Sequence, residues 1–595
     1  MKTGDLIPLA AAYLAAVAAA ASEYDYVIVG GGTAGIALAT RLSLGLPDAD
    51  ILVIEAGPAA LDEIRINAPG MRGSTLGSVY DWNYTTTPQE SINGRVIDVN
   101  RGHVLGGSSA LNYLCYDRAS AAEYNGWGEL GNKGWNWDTM SAAMVKSENF
   151  TGTSSDLHGD SGPIRSTFNR NVPECLASWL PTMNALGIDT NEEFMGGFPI
   201  GASIQTTNID VTHYTRSYSA VSYLPLAGSN LEVMTETRVA KVNIVNLKKA
   251  GCKKLHATGV TLEDGTVIKA RKEVVLTSGS IGSPGLLELS GVGQAKVLKA
   301  AGIKQLIDLP GVGENLQDHI RTSNSYTLKP GFESFDFMIY DNAGPAAAAE
   351  VARWLAGEPS WVDYTSATYG FLNLEQIAGK EGAKSLIADA KAAYGKTSTK
   401  VDLKKIEQLS DATVPQVEII FEANYIGAKG YPGSGNLITL FSSLAHPMSR
   451  GSVHIDATNP LGKPIINPNY LSNDYDLQAS IAAAKYARKI ANTEPMASTW
   501  ENEWEPGPEV ETDEQWEEFV RGATQTFYHP VGTCAMLPRK DGGVVDSDLV
   551  VYGTANLRVV DSSITPTLLS AHIQTAVYGI AEIAAEKIIA KAKSA

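Results

Sequence analysis

The sequence predicts a two-domain protein of the α/β class, and three observations support this. The chain has 595 residues, enough for two or three structural units of ordinary size. An apolar, β-rich run, Tyr26–Val29, enters a glycine-rich turn and then the helix-prone segment Ile36–Leu42, the order expected at the start of a parallel sheet. Much later, Gly344–Leu355 and Ala378–Tyr394 are alanine-rich, and we expect them to be exposed helices of a second unit.

The turn after the first strand has the glycine spacing of a dinucleotide site. Glycine at its first, third and sixth positions permits a sharp turn, close approach of a pyrophosphate, and tight packing of helix on strand. A second apolar run, Ile51–Ile54, ends in Glu55, where a carboxylate accepts hydrogen bonds from ribose hydroxyls. The glycine pattern alone arises roughly 0.5 times by chance in such a chain, so the flanking strands and Glu55 decide the prediction. These features do not distinguish FAD from NAD. The residues of this site are Gly30, Gly32, Thr33, Ala34, Gly35, Glu55 and Ala56.

Charge and cysteine content exclude several classes of partner. The chain has 47 Lys and Arg against 65 Asp and Glu, a formal net charge of −18. Because nucleic-acid binding depends on clustered basic side chains, we expect no DNA or RNA partner. The four cysteines lack the paired spacing of a zinc site, and we expect no metal. No apolar run after the N-terminus reaches about 18 residues, so no membrane partner is expected.

The first residues have the pattern of an export signal. An apolar, alanine-rich run follows a short head that carries Lys2, and it ends in small residues at Ala21 and Ser22. This predicts a signal peptide over residues 1–21 and a secreted, extracellular mature protein. The alternative is an alanine-rich helix that stays attached. Two glycosylation sequons, at Asn83 and Asn149, are compatible with export.

Five further segments carry a family resemblance. They are Gly102–Asn112, Gly279–Gly293, Pro310–His319, Tyr528–Thr533 and Val560–Ser563. In this order and spacing they resemble the motifs of the glucose-methanol-choline (GMC) oxidoreductase family, and the likeness is strongest to secreted fungal glucose oxidases and aryl-alcohol oxidases. One departure is His103, which stands where the family usually has Lys or Arg. The resemblance implies that the dinucleotide is FAD.

The resemblance also implies how the chain is divided. It predicts a Rossmann-like FAD-binding domain and a discontinuous substrate domain built on an antiparallel sheet with helices. The sequence itself predicts short strands over 231–245, 260–261 and 273–277, with a hairpin turn at Asp264-Gly265. The implied FAD-binding domain comprises residues 24–154, 230–321 and 540–595. The implied substrate domain comprises residues 155–229 and 322–539.

The flavin site follows from the same motifs. The turn Gly106–Ser109 has no bulky side chain, so its backbone can lie against a flat ring or a phosphate. The resemblance places Asn112 and the backbone after it on the isoalloxazine, and Val239 beside the adenine. Relatives with covalent FAD have a His just before this Asn; Leu111 stands there, so we expect noncovalent FAD. The implied residues are Gly106, Gly107, Ser108, Asn112, Tyr113, Leu114, Cys115, Val239, Asp561, His572 and Ile573.

Two histidines near the C-terminus are the candidate catalytic residues. His529 precedes Pro530, which holds it on an extended stretch able to project into a cleft. His572 precedes apolar residues at helical spacing, and we expect a terminal helix there with Ser570 as its cap. An imidazole suits the removal of a hydroxyl proton while a hydride leaves for flavin N5. The resemblance makes His529 this base. It makes His572 the second histidine, which with the positive end of the helix stabilises the reduced flavin.

The expected function is oxidation of a primary alcohol, with oxygen or a quinone as electron acceptor. In glucose oxidases an Arg and an Asn lie four and two positions before the catalytic His and bind sugar hydroxyls; here they are Gln525 and Phe527. Phe527 offers an apolar face instead, so we expect aromatic or allylic alcohols to be preferred over glucose. The alternatives are a sugar oxidase or dehydrogenase, and a non-redox lyase or cyclase that keeps FAD for structure. The sequence leaves the oligomeric state open.

Overall fold

The computed structural model describes residues 23–152, 155–246, 254–394 and 398–594. The predicted signal peptide, residues 1–21, lies outside the described residues. Of the helices within these ranges, none is both long enough and apolar enough to cross a membrane.

The first of two large sheets carries the glycine-rich turn. Within the described residues it has seven strands. In spatial order they are Leu231–Met234, Ile51–Ile54, Glu23–Val29, Val267–Leu276, His256–Leu262 and Val239–Val245, while Leu557–Val559 pairs with the second half of Val267–Leu276. The first four and Leu557–Val559 run parallel. The remaining two extend the sheet as an antiparallel hairpin.

The central strands are apolar because helices cover the sheet. Val27, Ile28 and Leu52 are fully buried, as expected for parallel strands shielded on both faces. The first helix, Thr33–Gly45, packs against the terminal helix, Gln574–Ser594. Gly45 lies in this contact, and an added Cβ there would lie 2.3 Å from the Ile589 side chain.

The second sheet also has seven strands among the described residues, all antiparallel. Its order is Trp500–Glu505, Ile320–Leu328, Leu437–Leu444, Val417–Glu422, Thr368–Leu372 and Gly201–Ile204, with Gln525–Thr526 paired to the start of Ile320–Leu328. Helix Asp474–Ala491 packs on this sheet. The fold class and the two-domain architecture predicted from the sequence are therefore confirmed. The domain boundaries stay predictions.

The remaining helices lie around these two sheets. Those of at least five residues are Ala121–Glu129, Trp137–Ser147, Trp179–Ala185, Gly279–Leu289, Ala295–Ala300, Asp336–Tyr340, Pro345–Leu355, Leu374–Tyr394, Lys400–Leu409 and Asp513–Ala523. The helix expected from residue 378 begins at Leu374 and contains a non-helical residue, Gly379, at φ 70°. The strand expected over 231–245 is two strands, because the backbone turns at Glu236 with φ 52°.

The start of the terminal helix differs from the sequence expectation. The helix begins at Gln574, so His572 lies in the segment that leads into it. Ser570 does not cap it: its hydroxyl and backbone N–H both donate to the buried carboxylate of Glu123. The expected cap was therefore wrong, because Glu123 binds this hydroxyl and holds the segment against another helix.

Candidate active site

A cavity of about 460 Å³ is lined by both large sheets and by the loops between them. The sequence-predicted residues that line it are Gly30, Gly32, Thr33, Ala34, Glu55, Ala56, Gly107, Ser108, Asn112, Tyr113, Cys115, Val239, Phe527, His529, Asp561, His572 and Ile573. Four others, Gly35, Gly106, Leu114 and Gln525, lie outside this lining. The structure therefore brings most of the predicted site together.

The glycine-rich turn forms one end of the cavity. Gly30 has φ +110°, and a Cβ on Gly35 would lie 2.0 Å from the Gly30 carbonyl oxygen, so Gly35 allows the helix to pack on the turn. Gly32 and Gly107 face each other from separate loops, and a Cβ on Gly107 would lie 2.7 Å from the Gly32 Cα. Among the described residues, no side chain caps the helix that begins at Thr33. Its N–H groups are thus available to a phosphate.

Glu55 is held at the end of its strand by two backbone hydrogen bonds. Its carboxylate oxygens accept from Gly31 N at 2.7 Å and from Gly57 N at 2.8 Å. Burial raises the pKa of Glu55 to about 7, partly offset by these N–H donors. Each oxygen keeps a further lone pair, so the side chain retains acceptor capacity toward a ribose.

The predicted flavin residues bind one another as well as lining the cavity. Asn112 Oδ1 accepts from Arg216 at 2.7 Å, and its amide donates to Gln574 at 2.9 Å. Asp561 accepts from Gly279 N and Ser563 N, at 2.9 and 2.8 Å. The side chains of Asn112 and Asp561 are thus tied into the protein.

Three predicted residues outside the lining support the residues that form it. Gly106 has φ +98°, and its N–H donates to Gly31 O at 2.7 Å, which fastens its loop to the glycine-rich turn. Leu114 is buried against Ile209 and Tyr214. Gln525 pairs with Arg321 across two strands.

The two candidate catalytic histidines are neighbours. The ring centroids of His529 and His572 lie 5.1 Å apart at an interplanar angle of 85°. Phe527 contacts both rings, at 5.3 and 5.5 Å between centroids. The cavity therefore presents two imidazoles and one aromatic face at the same place.

His572 is bound by carboxylates. Asp117 accepts from His572 N at 2.9 Å and lies 3.0 Å from its Nδ1, and Glu418 lies 3.6 Å from the same nitrogen. Burial alone lowers the pKa of His572, but Cys115, Glu418 and Asp117 together raise it well above its usual value. Burial raises the pKa of Glu418 to about 7. One ligand atom from each of Asp117, Glu418 and His572 lies within 4.8 Å of the others. Such a cluster of donors suits a positive charge, and the imidazolium of His572 supplies that charge.

His529 has the opposite environment. Burial lowers its pKa well below the usual value, and His319, His572 and Arg101 lower it further. Its Nδ1 lies 2.8 Å from His319 Nδ1, and its backbone N–H donates to Asp318 at 2.8 Å. His529 is therefore neutral beside a protonated His572, and its Nε2 faces away from the bond to His319.

Several residues of the site were not predicted. Asp318 and His319 end the segment Pro310–His319, in which no residue was expected to have a role in the site. Glu418 interrupts the otherwise apolar start of a fully buried strand, which is a signal for a functional carboxylate. Asp117 and Arg321 carry no such signal, since only the fold brings them to the cavity. His103 lies outside the lining, where its Nδ1 is 3.0 Å from Val79 O.

The residues present fit a bound FAD. Two facing glycines, an uncapped helix start and an acidic strand end form a cradle for a dinucleotide, and added Cβ atoms would fill it. The loop Gly107–Cys115 and the segment His572–Ile573 enclose the space beyond. The cradle and the histidine pair thus belong to one continuous cavity.

Comparison with known proteins agrees with this arrangement. Two family models, both described as GMC oxidoreductase, match residues 24–321 and 447–581. The GMC oxidoreductase family protein Mala s 12 of Malassezia sympodialis is 37% identical, over 95% of this chain and 92% of that protein. An FAD-dependent oxidoreductase from Chaetomium thermophilum is 29% identical with a TM-score of 0.86, over 96% of this chain and 100% of the other.

A second solved structure, of a fungal aryl-alcohol oxidase, is 26% identical with a TM-score of 0.82, over 96% of this chain and 100% of the other. The family models together cover more than half of the sequence. This chain belongs to the GMC oxidoreductase family and is an FAD-dependent enzyme that oxidises CH–OH groups.

Proposed function

We propose that this enzyme oxidises primary alcohols, preferring aromatic and allylic alcohols to glucose, with His529 as the general base and FAD bound noncovalently. The observation that carries the proposal is the pair of adjacent imidazoles in the cavity that the predicted FAD loops enclose, with His529 bonded to His319 and His572 bonded to Asp117. When bound, FAD supplies the acceptor for the hydride. The final electron acceptor is oxygen or a quinone.

The geometry gives His529 a free nitrogen for the substrate proton. With Nδ1 committed to His319, His529 accepts the proton at Nε2, which requires its Nδ1 to carry hydrogen and donate to His319. Asp318 fixes the backbone beside it, since the same carboxylate accepts from His529 N, Thr526 and Tyr470. A free alkoxide costs too much in this site, so the proton leaves as the hydride leaves.

His572 has a different task. Cys115, Glu418 and Asp117 hold the pKa of His572 well above its usual value, so its ring is a hydrogen-bond donor and not a base. A fixed positive charge beside the reacting oxygen stabilises negative charge that develops there. Asp117 is the positioning residue of this group, since it binds both the ring and the backbone of His572.

The substrate end of the cavity is largely apolar. Phe441 and Phe527 lie 6.3 Å apart, and Ile420 and Ile426 line the same region. Gln525, which stands where glucose oxidases have a sugar-binding Arg, lies outside the lining. Unpaired sugar hydroxyls in such a site cost about 1–3 kcal/mol each. The aryl-alcohol oxidase, and the pyridine and thiophene rings of the fragment named with the Chaetomium structure, support an aromatic ligand.

Noncovalent FAD and export complete the proposal. Leu111 precedes Asn112 and has no nucleophilic atom for attachment to the flavin. Export rests on the signal pattern over residues 1–21. Of the two sequons, Asn149 is the better acceptor, because the Asn83 amide already donates to Ser78 O and Asp81 O at 3.2 and 3.0 Å.

Replacing the proposed base should slow chemistry without removing the cofactor. We expect His529→Ala to lower the rate of anaerobic flavin reduction by benzyl alcohol by about 10²–10⁴-fold, measured by stopped-flow absorbance. The exposed His213 provides the control, and His213→Ala should keep the wild-type rate. Unchanged reduction in His529→Ala would remove His529 from the mechanism.

Weakening the carboxylate contact of His572 should change the pH profile. The pKa of His572 is raised, so its charged form is present below that pKa and is lost as the pH rises through it. Asp117→Asn lowers this pKa, so the alkaline fall in the reductive rate should begin at least about one pH unit lower. Asp210→Asn, at a carboxylate that pairs with Arg165 at 3.2 Å outside the cavity, is the control. An alkaline limb that does not move would contradict the assigned role of Asp117.

Denaturation should release the cofactor intact. We expect acid precipitation of the yellow protein to leave the flavin in the supernatant, because residue 111 offers no atom for a covalent bond. The measurement is flavin absorbance in the supernatant and the pellet. Flavin that stays with the precipitate after washing would show a covalent link.

Exported protein should lack the first residues and carry glycan. We expect N-terminal sequencing of material from the culture medium to begin near Ser22, and we expect glycan at Asn149 in peptide mass spectra. Asn149→Gln should remove that glycan while Asn83→Gln leaves it. Secreted material that begins at Met1 would contradict the signal assignment.

The substrate preference can be tested directly. With the same electron acceptor, we expect kcat/KM for benzyl alcohol to exceed that for D-glucose by at least about tenfold, the factor that one unpaired hydroxyl produces. The measurement is steady-state kinetics with both substrates. A higher kcat/KM for glucose would overturn the aromatic assignment and favour a sugar oxidase or dehydrogenase.

A further inference from the structure

One charged side chain at the substrate end of the cavity has no opposite charge beside it. Arg321 lines the cavity, and its guanidinium lies over the Phe441 ring, 4.7 Å from the centroid. Among the described residues it donates to Ser323 Oγ, at 3.0 Å, and to the Tyr528 hydroxyl, and no carboxylate lies within 4.0 Å of it. Burial lowers the pKa of Arg321, and the nearby Tyr528, Tyr113 and Glu505 only partly offset this.

The other charged groups around Arg321 are already satisfied. Glu422 is paired with Arg72 at 2.8 Å and accepts from the Tyr364 hydroxyl. Glu505 accepts from the Tyr425 hydroxyl at 2.9 Å and from Ala428 N at 2.9 Å. Arg101, a second guanidinium in the lining, donates to the carbonyls of Asn100 and Tyr528. Arg321 has five N–H groups, and within the described residues only Ser323 Oγ and the Tyr528 hydroxyl accept from it, so N–H groups remain for a ligand.

Two phenylalanine rings lie between Arg321 and His529, the proposed base. Arg321 pairs with Ser443 across the sheet, so Phe441, two residues away, lies on the same face. The centroid of the Phe441 ring lies 6.3 Å from that of Phe527, and the centroid of the Phe527 ring lies 5.3 Å from that of His529. A planar apolar body beside these rings would have its carbinol at His529 and its far end at Arg321.

We propose that Arg321 binds a carboxylate carried by the substrate at the end opposite the carbinol, so that the preferred substrate is an aromatic or allylic alcohol acid. A planar guanidinium with free N–H groups matches a carboxylate in two parallel hydrogen bonds. A buried cation without a counter-charge is costly, and the ligand supplies that charge. This inference rests on the proposed alcohol oxidation.

The experiment compares three alcohols that differ only at the far end: 4-(hydroxymethyl)benzoate, its methyl ester and benzyl alcohol. With the wild-type holoenzyme, we expect kcat/KM for the carboxylate to exceed that for the ester by about tenfold or more, mainly through KM. In Arg321→Met this ratio should fall toward one, and Arg321→Lys should keep part of it. Arg165→Met, which removes a guanidinium outside the cavity, should leave the ratio unchanged.

A binding measurement separates recognition from turnover. Titration of the wild-type holoenzyme with benzoate, followed by flavin absorbance, should show saturable binding that Arg321→Met weakens about tenfold or more. An equal concentration of chloride should not reproduce it; if it does, the site selects small anions and the proposal is wrong.

The outcomes distinguish this inference from the function on which it rests. If the wild type oxidises benzyl alcohol but gives equal kcat/KM for the acid and the ester, the carboxylate proposal fails alone. If no alcohol of the series reduces the flavin, the proposed function fails. A preference for the acid that survives in Arg321→Met would also overturn the role of Arg321. If that variant does not fold, Arg321→Lys and the benzoate titration still decide the matter.

Discussion

The contact between His529 and His572 is the constraint on which the active site depends. Two imidazoles 5.1 Å apart cannot both be protonated at low cost, because like charges in a buried site repel strongly. Asp117 and Glu418 settle which ring holds the proton, since both face His572. His529 is left neutral and can accept a proton. In the proposed mechanism, the carboxyl groups of Asp117 and Glu418 therefore determine the role of each histidine.

This contact also explains why the chain needs two sheets. His529 follows the strand Gln525–Thr526 of the antiparallel sheet, whereas His572 precedes the terminal helix that covers the parallel sheet. Glu418 belongs to the antiparallel sheet, so each histidine is bound to elements of more than one part of the chain. The electrostatic environment of both histidines thus depends on the packing of the two sheets against each other.

The sequence predicted the fold and singled out two histidines that meet in the cavity, but it did not single out the groups that bind them. Short motifs such as Gly30–Gly35 specify backbone geometry locally, so spacing is enough to find them. Asp117, Glu418 and Arg321 reach the cavity through long-range contacts: Glu418, for example, faces His572 only through the register of an antiparallel strand. The expected cap at Ser570 was wrong for the same reason, because its real acceptor, Glu123, is distant in sequence. Motifs therefore locate the residues of the proposed site, whereas tertiary contacts set their protonation states.

The chain as a whole is acidic, whereas, in the part of it that the structure describes, basic side chains without a carboxylate partner lie at one end of its cavity. A net charge of −18 repels anions at long range, but this repulsion is screened within about 8–10 Å at physiological ionic strength. Inside the cavity, Glu55 accepts from backbone N–H groups and Glu422 is paired with Arg72. Arg321, in contrast, has no carboxylate partner among the described residues. The guanidinium groups of Arg321 and Arg101 and the imidazolium of His572 therefore all contribute positive charge at the proposed substrate end. Charge at the surface and charge at the site thus act on different steps, the first on encounter and the second on orientation of the bound molecule.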